Sequence, residues 1–328
     1  MHRQSLKRIY GMVLLMLFAV LLMSGTVFGA SKQVLEAAKV KAAPAGLDDA
    51  IWNEATAIQV PFEGKESFAG QKASVATKAV YTDEAVYFLF KWKDPTLSVV
   101  KGAWQFDGEK WSHQKGNEDR ISLLFEINRI NNFATKGCAI VCHVPQGAPN
   151  AKDGKFGTTT AAEKGDLWHW KAARSDPAGV ADDTWLTQIS DKEGGRKSDA
   201  GKGGDQKNMT EDKSAPKYML APGKSLAKND ILLAAHAVEI PAGTVFKAGD
   251  MLTYRMPKTA EGSRGDIKAE SRYAGGGWTV MLHRSLDTGH EDDVAFNTRR
   301  KYNFAMALFD DSGDENSYDS EVLTLDFK

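Results

Sequence analysis

"VATKAVYTDEAVYFLFKWKD", residues 75–94, is the stretch whose reading decides the fold. Its second half sends Val86, Phe88, Phe90 and Trp92 to one side of an extended chain and Tyr87, Leu89, Lys91 and Lys93 to the other, which is the period-2 pattern of a half-buried strand. A first apolar run precedes "YTDE", whose small and polar residues suit a turn, so the stretch reads as two strands around that turn. Working outward, "RISLLFEIN" (120–128) alternates Ile121, Leu123, Phe125 and Ile127. "DLWHWKAAR" (166–174), "DILLAAHAVEI" (230–240), "GWTVMLHRSL" (277–286), "KYNFAMALFD" (301–310) and "EVLTLDF" (321–327) are equally short, most of them bounded by Gly, Pro, Asp or Asn. Only "SKQVLEAAKV" (31–40) suggests a helical stripe. The expected fold is all-β, an antiparallel β-sandwich with long loops and few short helices.

The N-terminus sets the compartment. Arg3, Lys7 and Arg8 precede an entirely apolar run from Met12 to Met23, followed by "SGTVFGASK", which reads as a Sec-type signal peptide cut after Gly29. The run is short for a membrane span. The mature chain, residues 30–328, is then expected as one periplasmic or otherwise exported domain, with no membrane association after cleavage. Losing three basic and no acidic residues leaves it with a net charge near -4, from 39 basic against 43 acidic residues. That mild acidity argues against nucleic acid as a partner.

Two stretches break the strand rhythm. Residues 191–217, "DKEGGRKSDAGKGGDQKNMTEDKSAPK", hold almost nothing apolar and read as an exposed loop excursion inside the domain. From Asn128 to Gly165 the chain is strand-poor and Gly-rich, and "KGCAIVCHVPQG" (136–147) within it carries the only two cysteines. Long ordered connections usually have a task.

Three chemistries fit Cys138, Cys142 and His143. A disulfide between positions four apart closes a very small loop and gives His143 no role. A zinc or copper centre needs further ligands, and His113, His169, His236, His283 and His290 are scattered without a paired spacing. Covalent haem needs two thiols for the vinyl groups and an adjacent imidazole for the iron, all of which this cluster supplies, with one residue more between the cysteines than the usual motif.

Beyond this cluster the chain resembles the haem-binding family of the ethylbenzene dehydrogenase γ subunit and the cytochrome c-like members grouped with it. The resemblance lies in "LDDAIWNEA" (47–55), "AVYTDEAVYFLFKWKDPT" (79–96), "RISLLFEIN", "GDLWHWKAARSDPAGVADD" (165–183), "GGWTVMLHRSLDTGHEDDVAF" (276–296) and "YNFAMALFDDSGDE" (302–315), in the family's order. It implies a β-sandwich holding one haem, exported and passing electrons. In the ethylbenzene dehydrogenase branch the haem is not covalent, and a methionine and a lysine bind the iron. Here the loop expected to offer the methionine carries "CAIVCH", so His143 takes that place, and "GDENSYDSEV" (313–322) offers no lysine.

The distal ligand must come from elsewhere. Strand alternation separates Trp168 and Trp170 from His169, and His169 is the preferred candidate. His283 is weaker, and Met209, Met219 and Met306 read first as core methionines. Trp168 and Trp170 are candidate packing contacts for a porphyrin, and Arg174 and Arg284 are candidate propionate partners. Glu291 to Asp293 in "HEDDVAF" lack the spaced loop of a calcium motif and read as a solvated turn. No nucleophile elbow, phosphate-binding glycine loop or zinc-protease helix motif occurs, so no enzyme is expected. The expectation is a monohaem c-type cytochrome carrying one covalent haem c, with Cys138 and Cys142 as thioethers, His143 proximal and His169 distal. Its partner would be a redox protein, either a molybdenum oxidoreductase complex or another cytochrome. The competing reading is a haem-free sugar-binding module resembling family 9 carbohydrate-binding sandwiches, with Trp168 and Trp170, or Trp104 and Trp111, stacking on sugar rings.

Overall fold

The computed structural model describes residues 32–142, 156–189, 194–313 and 316–328. Residues 1–29, where the signal peptide is expected, lie outside them. Residues 32–328 form one compact unit.

Thirteen strands among the described residues join in one continuous sheet that folds over itself. In chain order they are β1 (Val34–Lys39), β2 (Ile58–Gly64), β3 (Lys72–Tyr81), β4 (Ala85–Lys93), β5 (Arg120–Asn128), β6 (Lys164–Lys171) and β7 (Asp182–Leu186). There follow β8 (Arg196–Ser198), β9 (Lys268–Tyr273), β10 (Gly277–Ser285), β11 (Lys301–Phe309), β12 (Tyr318–Ser320) and β13 (Leu323–Phe327). The path runs β8-β7-β6-β5-β11-β12-β2-β3-β4-β10-β9, with β13 pairing β11 and β1, and β1 pairing β3. All pairings are antiparallel except those of β1, which runs parallel to β13 and β3.

The β3–β4 hairpin forms where the alternation and the turn residues place it. Thr82 Oγ1 accepts the backbone N–H groups of Glu84 and Ala85, closing the turn. Val86, Phe88, Phe90 and Trp92 then point into the main core, while Tyr87 and Leu89 point out to a second cluster. The core lies between two layers. Ile121, Leu123 and Phe125 of β5, Trp168 and Trp170 of β6, and Phe304 and Met306 of β11 meet Phe88, Phe90 and Trp92 of β4 and Val280 and Leu282 of β10. Edge-on aromatic pairs span the layers, Phe88 to Trp168 at 5.8 Å and Trp92 to Trp170 at 6.1 Å between ring centroids. Each such buried ring stabilises the fold by roughly 1.5–3 kcal/mol. The molecule is an antiparallel β-sandwich.

Each layer also has a covered outer face. Trp52, on a short 3-10 turn capped by Asp49, packs over Val80, Leu89 and Met281. On the opposite layer, Ile130, Phe133, Cys138 and Val141 pack over Leu124, Leu167 and Ala305. This second cover is the connection that carries the cysteines.

Three segments depart from the sequence expectation. "SKQVLEAAKV" is extended as β1, because Leu35 and Ala37 alternate into the core between two strands that need a partner. "DILLAAHAVEI" is broken into 3-10 turns with only Ala237–Glu239 extended; Asn229 and Asp230 take positive φ of 60° and 56°, which ends any strand there. Within the polar excursion, β8 extends the sheet edge, and Asp205–Lys207 pairs with Arg255–Pro257. Buried Asn208 organises it, donating to the carbonyls of Tyr218 and Thr253 and accepting from the backbone of Lys217 and Tyr218. All four side-chain hydrogen-bonding positions of Asn208 are filled, so a stretch with few apolar residues is held by polar satisfaction.

Candidate functional site

Strand β6 presents two chemistries on alternate residues. Asp166, Trp168 and Trp170 face the core between the layers, and Leu167 and His169 face the outer cover. The strand register fixes this, with Trp168 opposite Leu123 of β5 and Asp183 of β7, and His169 opposite Ser122 and Asp182.

The cover is held at both ends by carboxylates. Glu126 accepts the N–H of Ile130. Glu163 accepts the N–H groups of Asn131, Thr159 and Thr160 and the Thr159 hydroxyl, tying the start of the connection to its end. Burial works against the charge on Glu163, but these donors hold its carboxyl below the usual carboxylate range. Between the ties run two single helical turns, α1 (Phe133–Lys136) and α2 (Ala139–Cys142). Gly137 joins them at φ 57°, with Val322 and Ala305 side-chain atoms 3.1 and 3.3 Å from where a Cβ would stand, so the turn seats Cys138 against the sheet.

Cys138 and His169 line one cavity. It measures about 30 Å³, and Phe156, Leu167, Leu186, Ala307 and Phe309 form its apolar wall, with Ser122, Arg196, Ser317 and Asp319 at its polar edge. His169 is 3% exposed and stacks on Phe309 with ring centroids 5.4 Å apart. Its Nε2 is buried without a hydrogen-bond partner. Its Nδ1 faces Arg196 at 3.2 Å. Burial, followed by the nearby Lys171 and Arg196 charges, pushes the His169 pKa well below its ordinary value, so the ring is neutral, as metal ligation requires.

The donor chemistry of this place suits a haem iron. A neutral imidazole with an unmatched ring nitrogen, an apolar wall and a cysteine of the Cys138–Cys142–His143 cluster meet on one face. Three adjustments accompany the fit. A cavity of about 30 Å³ is on the scale of a water molecule, so a macrocycle requires the Cys138 turn to stand away from the sheet. Arg196 can only donate, so the neutral His169 ring carries its proton on Nε2, and ligation there requires that proton to move to Nδ1 and Arg196 to withdraw. Arg196 already has alternative partners in Asp182 at 3.7 Å and Thr184 Oγ1 at 3.3 Å. Cys138 is disulfide-bonded, and its sulfur takes a thioether only from the reduced form. His143 and the side chain of Cys142 lie outside the described residues.

The structure does not bring the other nominated contacts to this face. Trp168 and Trp170 are wholly buried on the opposite side of β6, and the Trp170 indole N–H donates to Asp176 at 2.9 Å. Arg284 is buried in the core, pairing with Asp166 and Asp293 at 2.7 Å each and lying over the Trp168 ring. Arg174 is ion-paired with buried Glu118. His283 stacks on Tyr87 on the outer face of the other layer, Met306 is in the main core, Met209 meets the Tyr254 hydroxyl, and Met219 lies in a short strand paired with Val238. The aromatics nominated for sugar stacking are also occupied: Trp104 is 3% exposed, and Trp111 packs on Phe106 and Phe246. Arg196, Phe309 and Glu163, unremarked in the sequence, are what shape the His169 environment.

A family model described as ethylbenzene dehydrogenase matches residues 49–321, most of the chain. The chain belongs to the ethylbenzene dehydrogenase family. The matched span of this family member contains both cysteines, His143, His169 and every strand from β2 to β12. Among curated proteins, none matches. Among solved structures, the chain is similar to a family 9 carbohydrate-binding module from Caldicellulosiruptor kristjanssonii in complex with glucose, with 10% identity and a TM-score of 0.35 over 90% of this chain and 96% of that one. It is also similar to a putative carbohydrate-binding protein from Bacteroides uniformis, with 8% identity and a TM-score of 0.37 over 91% of this chain and all of that one.

Proposed function

We propose that this chain is an exported monohaem c-type cytochrome of the ethylbenzene dehydrogenase family, relaying single electrons to or from a redox partner. The observation that carries the reading is the unmatched, buried Nε2 of His169 in the same apolar cavity as Cys138. An unpaired buried donor costs about 1–3 kcal/mol, and a β-sandwich has no structural need of one at that position.

In this reading Cys138 and Cys142 hold the group through thioethers, His143 is the proximal ligand and His169 the distal one. When bound, haem supplies one-electron chemistry through its iron. The residues around it do the rest. Phe309 orients the His169 ring by stacking, and burial keeps that ring neutral. Leu167, Leu186 and Phe156 exclude water, which bears on the reduction potential. Were His143 and His169 both to hold the iron, the role would be transfer to a docked protein and not catalysis on a small molecule. A molybdenum oxidoreductase or another cytochrome is the class of partner proposed, and a periplasmic location follows from the signal peptide proposed for residues 1–29.

The test is expression of the full chain in a host able to mature c-type cytochromes. Haem retained on a denaturing gel, and an added mass of about 616 Da over the processed polypeptide, support the reading. The double variant Cys138→Ser/Cys142→Ser should lose retention on the gel. A colourless wild-type product at the bare polypeptide mass refutes it.

A further inference from the structure

A buried acidic cluster lies across β6 from the His169 cavity. Oxygens of Asp166, Asp183 and Asp293 lie within 4.8 Å of one another, and so do oxygens of Asp199, Asp292 and Asp293. The four acids Asp166, Asp183, Asp199 and Asp293 are each no more than 4% exposed. They come from β6, β7, the segment after β8 and the loop after β10, so no local motif announces them.

Positive charge does not balance this group. Arg284 binds Asp166 and Asp293, with the Val294 N–H adding a bond to the same oxygen of Asp166 and the Thr288 hydroxyl one to Asp293. Three of the four negative charges remain without a cation when all are ionised. Both oxygens of Asp183 and both of Asp199 are buried with no N–H or O–H donor from any other residue, and the one side-chain hydrogen bond open to either carboxyl group is with the other. The second oxygen of Asp166 is also unmatched. An ordinary buried carboxylate is satisfied by donors, as Glu163 is in this protein. Five buried acceptor oxygens without donors from outside the cluster, set in two overlapping triads that share Asp293, describe what a hard cation fills.

We propose that Asp166, Asp183, Asp199 and Asp293 form a calcium site. Calcium takes six to eight oxygen ligands in flexible geometry, whereas magnesium demands a tight octahedron and keeps its own waters, which a site this buried and this rich in carboxylates does not favour. Half-buried Asp292 has an oxygen within 4.8 Å of oxygens of Asp199 and Asp293 and also lines a surface cleft of about 560 Å³ bordered by Ser198, Ala200 and Glu291, which is the side from which we infer the ion enters. Bound there, the ion joins β6, β7 and the segment after β8 to the loop after β10, behind the strand that carries His169.

The experiment uses the full chain, stripped by dialysis against EGTA, with CaCl₂ or MgCl₂ returned. One calcium per chain by emission spectrometry, saturable calorimetric binding, and a rise in thermal midpoint of at least about 4 °C at 1 mM calcium are expected, with magnesium giving less than about a quarter of the shift. Asp183→Asn should weaken calcium binding by more than about tenfold. Should that variant fail to fold, Asp199→Asn at the cleft side carries the same expectation, and the wild-type titration stands by itself. Absence of calcium in the purified protein together with no response of stripped protein overturns the proposal and leaves an Asp183–Asp199 pair sharing a proton. Equal responses to both ions, or undiminished affinity in the variants, overturn it too.

Discussion

Replacing His169 with leucine separates a functional residue from a structural one, because the structure sets opposite expectations for the two. In the haem-free protein the substitution removes a buried ring nitrogen without a partner, relieving about 1–3 kcal/mol. It also removes the stacking on Phe309, worth about 0.5–1.5 kcal/mol, and one hydrogen bond to Arg196, worth about as much. Arg196 is not stranded, since Asp182 and Thr184 remain beside it. Leucine restores apolar volume against Leu167 and Leu186. The terms nearly cancel, so His169→Leu should leave urea-unfolding stability within about 1 kcal/mol of wild type, whereas truncating a packed neighbour such as Phe125 to alanine should cost about 3–5 kcal/mol. In the haem-loaded protein the same change should convert a six-coordinate low-spin spectrum to a high-spin one, read in the visible bands and by electron paramagnetic resonance, and shift the midpoint potential. A loss of more than about 2 kcal/mol in the haem-free protein would show that His169 is there for the fold. An unchanged low-spin spectrum would remove it as the distal ligand.

Other outcomes follow from buried charges. Arg284→Leu strands Asp166 and Asp293 in the core and should destabilise by about 3–5 kcal/mol in urea unfolding, with the deficit partly recovered by millimolar calcium. Burial pushes the Asp119 carboxyl up to about 7, against the pull of the Ser98 N–H and the Trp278 indole N–H. Unfolded, it ionises near 3.8; folded, it keeps its proton until about pH 7, so its contribution is greatest below pH 4 and is lost as pH rises through that window. Relative to Asp119→Asn, in which the other titrations cancel, wild-type stability should therefore fall between pH 4.5 and pH 7.5 by on the order of 1 kcal/mol per unit, measured by urea midpoints; a difference that stays flat refutes the shift.

The hairpin at 75–94 was legible because a half-buried strand writes its two faces on alternate residues, and Phe88 against Tyr87 repeats that pattern. β1 was not, since "VLEAAK" has helix-forming residues and its alternation rests on Leu35 and Ala37 alone; tertiary pairing with β13 and β3 overrode the local preference. The separation of His169 from Trp168 and Trp170 also followed from alternation, but the side each took did not, because both faces of this layer are covered. Arg284 was misplaced for the same reason: as a charged residue it suggested a surface or a cofactor edge, and the structure buries it against acids that lie 118 and 9 residues away. Of these acids only Asp292 and Asp293 are neighbours in sequence, and they read as part of a solvated turn, while the rest of the cluster is assembled by strand pairing and has no local signal.

That assembly bears on the His169 face directly. The side-chain period of a strand is two residues, so a slip of β6 by one would turn His169 into the core and Trp168 toward Cys138. Apolar packing alone resists this weakly, because Leu167 and Trp168 both suit a buried face. The inward polar bonds discriminate strongly: Asp166 must meet Arg284 from the opposite layer, and the Trp170 indole must reach Asp176. A slipped strand would present Leu167 to a buried guanidinium and leave it unpaired, at a cost of several kcal/mol. The buried charges on one side of β6 thereby fix which way His169 points on the other, and the acidic cluster that surrounds Arg284 belongs to the same constraint as the candidate ligand it faces through the strand.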